Sequence, residues 1–215
     1  QGVSSAASDV YKRQNENVTL KTVSMKEGYL DSVISTYDIN VGEKKKLSVY
    51  LSPSNQHGNL GVKSVGFTNE MDEMNDVTNY IQERLEKNGV KVYRNNSAGN
   101  INQWNRDSNY YGVDFKIAIH SNASIEHDKY GIETWVDTQN SATLSIANKI
   151  QNGLMSIYPY KDKPNANRGV KYANGALGEA NDNYIPFGIL VEVAHHDNKE
   201  DAEWIMQNKK LIGYN

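Results

Sequence analysis

The hydrophobic pattern is uneven along the chain. Residues 1 to about 46 carry only weak alternation, and the periods sharpen from Leu47 onward. "LSVYL" (Leu47 to Leu51) predicts a strand closed by Ser52, Pro53 and Ser54. A polar, glycine-punctuated loop follows to Thr68. Met74, Val77, Ile81 and Leu85 then recur at steps of three and four, which predicts a helix capped by Thr68 or Asn69 and stopped at Asn88-Gly89. "VKVY" (Val90 to Tyr93), "VDFKIAIH" (ending at His120) and "GIETWV" (Gly131 to Val136) predict further strands. Leu144, Ala147, Ile150, Leu154 and Ile157 mark a second helix. "FGILVEV" (Phe187 to Val193) is apolar almost throughout, as a central strand is, and "NKEDAEWIMQNKKLI" predicts a last helix capped by Asn198.

Strands alternating with helices, several of the strands apolar on both sides, predict the α/β class: a single twisted, mostly parallel sheet with helices on both faces. The domain reading is 1–46 as an extension or linker and 47–215 as the domain built on this sheet. Within the extension, "SSAASDVYKRQ" (Ser4 to Gln14) has no periodicity and is similar to translated adapter sequence, so residues 1–14 read as non-native. The segments 94–111 and 157–185, rich in Asn and Tyr, read as polar walls of a cleft.

Composition narrows the chemistry. A net charge of -3 creates no field for nucleic acid or an anionic membrane. No apolar run approaches the ~20 residues of a membrane span. With no cysteine and five histidines, disulfides, thiol nucleophiles and Cys-based zinc sites are excluded, so any zinc must rest on His and carboxylates. A cysteine-free chain is compatible with export. The chain starts at Gln1 and carries no signal peptide, as in a processed protein or a fragment.

In an open α/β sheet, ligands gather beyond the carboxyl ends of the strands. Four residues fall there: His57 in the loop after the first strand, Glu70 in the first turn of the first helix, His120 at a strand end, and Glu192 inside "ILVEV". Two imidazoles and a carboxylate form the set of a catalytic zinc site, and a second carboxylate beside the water serves as general base. Singly, three of these have plain structural readings. His57 fits a solvated loop, Glu70 a carboxylate favoured by the helix dipole, and His120 a strand stop. Glu192 does not, because an ionised carboxylate in an apolar strand is costly unless paired, metal-bound or protonated.

From Leu47 to the C-terminus the chain resembles the zinc-dependent N-acetylmuramoyl-L-alanine amidases of bacterial cell-wall turnover, sometimes called type-3 amidases. "AIHSNAS" (Ala118 to Ser124) is similar to that family's Ser-Ile-His-Ala-Asn-Ala segment and "GIETW" to its Gly-x-Glu segment. "NRGVK" (Asn167 to Lys171) matches its Arg-Gly-Val-Lys. "EMDEMN", "LEKNGVKVYRN" and "ILVEVAHHDNKEDAEWI" fit the ligand-bearing helix start, the second strand and the segment of the catalytic Glu.

The resemblance implies one Zn2+ per chain, Glu70 and His120 as ligands, and Glu192 as the catalytic carboxylate. Asn122 and Arg168 would line the substrate cleft. The substrate would be peptidoglycan glycan-peptide strands, acted on by a monomer outside the bacterial cell or in its wall.

One departure stands out. The family opens with Asp-Pro-Gly-His-Gly, whereas this chain has "LSPSNQHGN". Aligning the prolines puts Asn55 at the first ligand, and aligning "HG" puts His57 there. Amides bind zinc poorly, which favours His57. His196 is the alternative ligand, or a group that orients a ligand from behind. The rival readings are a zinc peptidase cutting stem peptides and a noncatalytic peptidoglycan-binding relative.

Overall fold

The computed structural model describes residues 18–23, 25, 27–28, 34–39, 46–137, 141–180 and 187–215. The chain divides into two compact units, 1–45 and 46–215. In the first, β1 (Val18–Thr22) pairs antiparallel with β2 (Ser35–Ile39), as the weak alternation suggested. The stretch 1–14 lies outside the described residues.

The second unit contains β3 (Ser48–Pro53), α1 (Glu70–Lys87), β4 (Lys91–Arg94), α2 (Ile101–Tyr111), β5 (Phe115–Asn122) and β6 (Ile132–Val136). After these come α3 (Ser141–Ile157), β7 (Asn167–Tyr172), β8 (Gly188–His195) and α4 (Lys199–Tyr214). The strands form one six-stranded sheet in the order β4-β3-β5-β8-β6-β7. Four neighbouring pairs run parallel, and only β6 against β8 is antiparallel. The sheet is thus mostly parallel, with the β6–β7 edge reversed.

Alternation sorts the two faces. Val49, Leu51, Ile119, Ile189, Val191 and Val193 face the main core, where Met74 and Val77 of α1, Leu154 of α3 and Ile205 of α4 pack on them. The intervening residues face the other way. Tyr50 meets Trp104 of α2 and Val113, while Ala118 and Leu190 meet Ala173, Leu177 and Ala180. This second face is thinly covered, and toward the strand ends its positions become polar: Ser52, His120 and Glu192.

Within 94–111 and 157–185 the chain forms two regular elements that the sequence pattern does not announce. Residues 101–111 form a helix whose start is capped by the Asn100 side chain, which accepts from the Gln103 amide. Its end is set by Gly112 at φ 56, a left-handed conformation that glycine adopts without penalty. Trp104 is its only large buried apolar side chain, too little to print a helical period. Asn167–Tyr172 is the edge strand β7, with one neighbour and no fully buried residue, so its alternation is masked by polar side chains.

Candidate active site

The site forms where β5, β8 and β6 lie side by side. His120 is in register with Glu192, and Glu192 with Glu133, so three ionisable side chains make a row on the thin face of the sheet. Glu70 reaches the same place from the start of α1. Asn69 caps that helix by accepting from the Asp72 amide, which fixes Glu70 at the first helical position. The loop before it also grips Glu70: the Glu70 amide donates to Asn59 O at 2.9 Å, and Asn59 Nδ2 donates to Glu70 Oε2 at 2.7 Å.

His120 is buried between two carboxylates. Nδ1–H donates to Glu70 Oε1 and Nε2–H to Glu179 Oε2, each at 2.8 Å. Burial works against the charged ring, but the hydrogen bonds to Glu179 and Glu70 and the charges of Glu179 and Glu192 outweigh it and raise its pKa to about 10. For Glu70, burial pushes upward, yet its bonds to His120 and Asn59 hold it below the usual carboxylate range. Glu192 has the opposite balance. Burial pushes it up to about 7, with only partial relief from His120 and further repulsion from Glu70, Glu133 and Glu179. Its Oε2 is buried without a hydrogen-bond partner. A buried carboxylate oxygen without a partner and with a raised pKa marks Glu192 as a candidate functional group.

Asn122 and Arg168 meet at Glu133. Asn122 Nδ2 donates to Glu133 Oε1 at 2.9 Å, and Arg168 Nε to Glu133 Oε2 at 2.6 Å. Lys171 pairs with the same Oε2, and Trp135 Nε1 donates to Oε1 at 3.0 Å. Burial pushes Glu133 up, but Lys171 and Arg168 bring it below its ordinary value.

Three of the expected residues, Glu70, His120 and Glu192, therefore converge. His57 does not join them: its side chain is exposed in the turn between Asn55 and Asn59, and it is Asn59 that touches Glu70. Asn55 donates to Gly99 O instead. His196 lies behind the site, with Nδ1 2.9 Å from both the carbonyl and hydroxyl oxygens of Ser121 and its ring stacked on Phe67. The Ser121 amide donates to Glu70 Oε1 at 3.3 Å, so His196 braces a residue that holds Glu70. Its neighbour His195 contacts Gly131 O.

Glu133, Lys171 and above all Glu179 were missed as site residues by sequence reasoning. Glu133 was visible as an acidic residue in "GIETW", the same signal that singled out Glu192. Glu179, in the polar stretch "GALGEANDN", offers no such contrast.

The donor set can be tested for zinc on this geometry. Glu70 Oε1 and His120 Nδ1 face each other, and the proton between them supplies a positive charge where a divalent ion would supply more. The partnerless oxygen of Glu192 lies beside them. These groups fit a cation. The third ligand is not in place: among the described residues no three His, Cys, Asp or Glu side chains are arranged to hold a metal, because Glu70 and Glu179 address different nitrogens of one ring and His57 points to solvent.

A buried imidazole–carboxylate cluster thus stands at the strand ends of a mostly parallel α/β sheet, the place where such sheets gather their ligands. The family model for N-acetylmuramoyl-L-alanine amidase matches residues 49–214, and the chain belongs to that family, the enzymes that cut the amide between N-acetylmuramic acid and L-alanine in peptidoglycan. No curated protein matches the sequence.

Among solved structures, the N-acetylmuramoyl-L-alanine amidase of Clostridium difficile 630 shares the fold at TM-score 0.65 and 18% identity, over 80% of this chain and 94% of that one. AmiC2 of Nostoc punctiforme matches at 0.63 and 18%, over 78% and 91%. Cwp6 from Clostridium difficile matches at 0.61 and 22%, over 78% of this chain but only 28% of its own.

Proposed function

We propose that this chain hydrolyses the N-acetylmuramoyl-L-alanine bond of peptidoglycan with Glu192 as proton carrier and with zinc held by Glu70 and His120. His57, on the loop that grips Glu70, is the proposed third ligand. The observation that carries the reading is Glu192: a carboxylate poised near 7, with one oxygen buried and without a partner, in register with His120.

Such a group is basic enough to take a proton from the attacking water and acidic enough to return it to the departing alanine nitrogen. Zinc, when bound, supplies the Lewis acidity that makes water a stronger acid and the carbonyl more electrophilic. Glu179 and Glu70 hold the His120 ring, and Asn59 holds Glu70. Asn122 of β5 and Arg168 of β7, tied together through Glu133, are the proposed contacts to the glycan-peptide strand. The enzyme would act as a secreted protein, outside the bacterial cell or in its wall.

Incubation with peptidoglycan, with and without a chelator, tests this by mass spectrometry of the products. Free stem peptides beginning with L-alanine, lost on chelation and restored by zinc, are expected. Cuts inside the stem peptide would instead make it a peptidase. The exposed His57 and the amide at Asn55 favour one second reading, a peptidoglycan-binding relative without turnover. Binding to the wall with no released peptide at saturating zinc would establish that reading.

A further inference from the structure

Proton transfer from water to the alanine nitrogen has no use for Glu179, yet this residue is as closely engaged with His120 as Glu70 is. It is buried, and both of its oxygens are committed. Oε2 accepts from His120 Nε2–H at 2.8 Å, and Oε1 accepts from Ser52 Oγ at 2.5 Å. Ser52 stands near the end of β3, the strand beside His120's own. Asn95 steadies that end by donating to Pro53 O at 2.8 Å and to Ser52 Oγ at 3.3 Å. The segment carrying Glu179 is pinned to the sheet by Leu177 and Ala180, which pack with Ala118 and Leu190 two residues before His120 and Glu192.

An ionised carboxylate can only accept, so the nitrogen it faces must carry a proton. A histidine that binds metal through one nitrogen has its ring orientation and tautomer set by the partner of the other. Glu179 cannot be a ligand to the same ion as Glu70 through this ring, because the two carboxylates face different nitrogens.

We infer that Glu179 is a positioning residue: it holds Nε2–H of His120 and so leaves Nδ1 as the nitrogen that takes the metal beside Glu70. This inference rests on the zinc reading above, but part of its test does not. With histidine-labelled full-length protein, NMR of the metal-free wild type is expected to show a downfield, slowly exchanging Nε2–H proton for His120. On zinc addition that proton persists while the Nδ1 resonance moves. E179A is expected to lose the slow-exchanging proton and to bind zinc about 10- to 100-fold more weakly in competition with a chromophoric chelator. E179Q, which can still present an oxygen to the ring, keeps the proton and weakens zinc binding less than E179A.

An E179A protein with wild-type proton and wild-type affinity would overturn the inference, as would zinc moving the Nε2 resonance instead of Nδ1. If the wild type takes up no zinc, the metal reading fails, while the Nε2–H signal and its loss in E179A still decide whether Glu179 tethers the ring. S52A, which removes the brace on the other oxygen, serves if E179A does not fold. It is expected to speed exchange of the same proton, and unchanged exchange would count against the tether.

Discussion

Glu133 and Glu192 are adjacent carboxylates on adjacent strands with opposite electrostatics. Glu133 has Arg168, Lys171, Asn122 and Trp135 around it and is held ionised, whereas Glu192 is left with a free oxygen and a pKa near 7. In the proposed mechanism their roles separate accordingly: Glu133 braces its neighbours Asn122 and Arg168, and Glu192 carries protons. Because the Glu133 pKa is lowered on folding, its stabilising contribution is present above its ordinary value of 4.5 and is lost as pH falls through the folded pKa. E133Q is expected to cost about 1–3 kcal/mol at pH 7. The gap in urea midpoint from wild type should close in acid, and a gap that stayed constant with pH would mean that the charge of Glu133 is not what stabilises the cluster. His120→Ala is expected to abolish stoichiometric zinc uptake by calorimetric titration while leaving the apolar face of the sheet intact.

The elements deliver these residues, and the delivery can be broken away from the chemistry. Asn69 both caps α1 and sets where Glu70 begins, so N69A is expected to lower stability by about 1 kcal/mol and to weaken metal binding together. Gly131 opens β6 at φ 96, and a Cβ there would lie 2.2 Å from Ala166 O at the entry to β7. G131A is expected to cost at least about 2 kcal/mol in denaturant unfolding, from strain and backbone clash together. Elements with a strong apolar period were legible: α1 from Met74, Val77, Ile81 and Leu85, and β8 from its continuous run. The helix α2 and strand β7 were not, because each lies on the thin or outer side of the sheet and buries too little to mark its period. At the site, His120 and Glu192 stood out against apolar strands. Glu179 did not, since its pairing with His120 is made across 59 residues of chain and leaves no local trace.

At the scale of the whole second unit, one face of the sheet is sealed by α1, α3 and α4 and carries the stability. The other is covered by α2 and a short loop and carries the chemistry. This division explains how the site stays assembled although the 54–59 loop departs from the family's opening motif: the row His120, Glu192, Glu133 is fixed by strand register rather than by that loop. The central claim is that Glu192 carries the proton in a zinc-dependent amidase. Its most direct test is the rate at which E192Q releases L-alanine-ended stem peptides from peptidoglycan at saturating zinc. A fall of about 100-fold or more, with zinc occupancy equal to wild type, is the expected result. A rate within about tenfold of wild type would contradict the account.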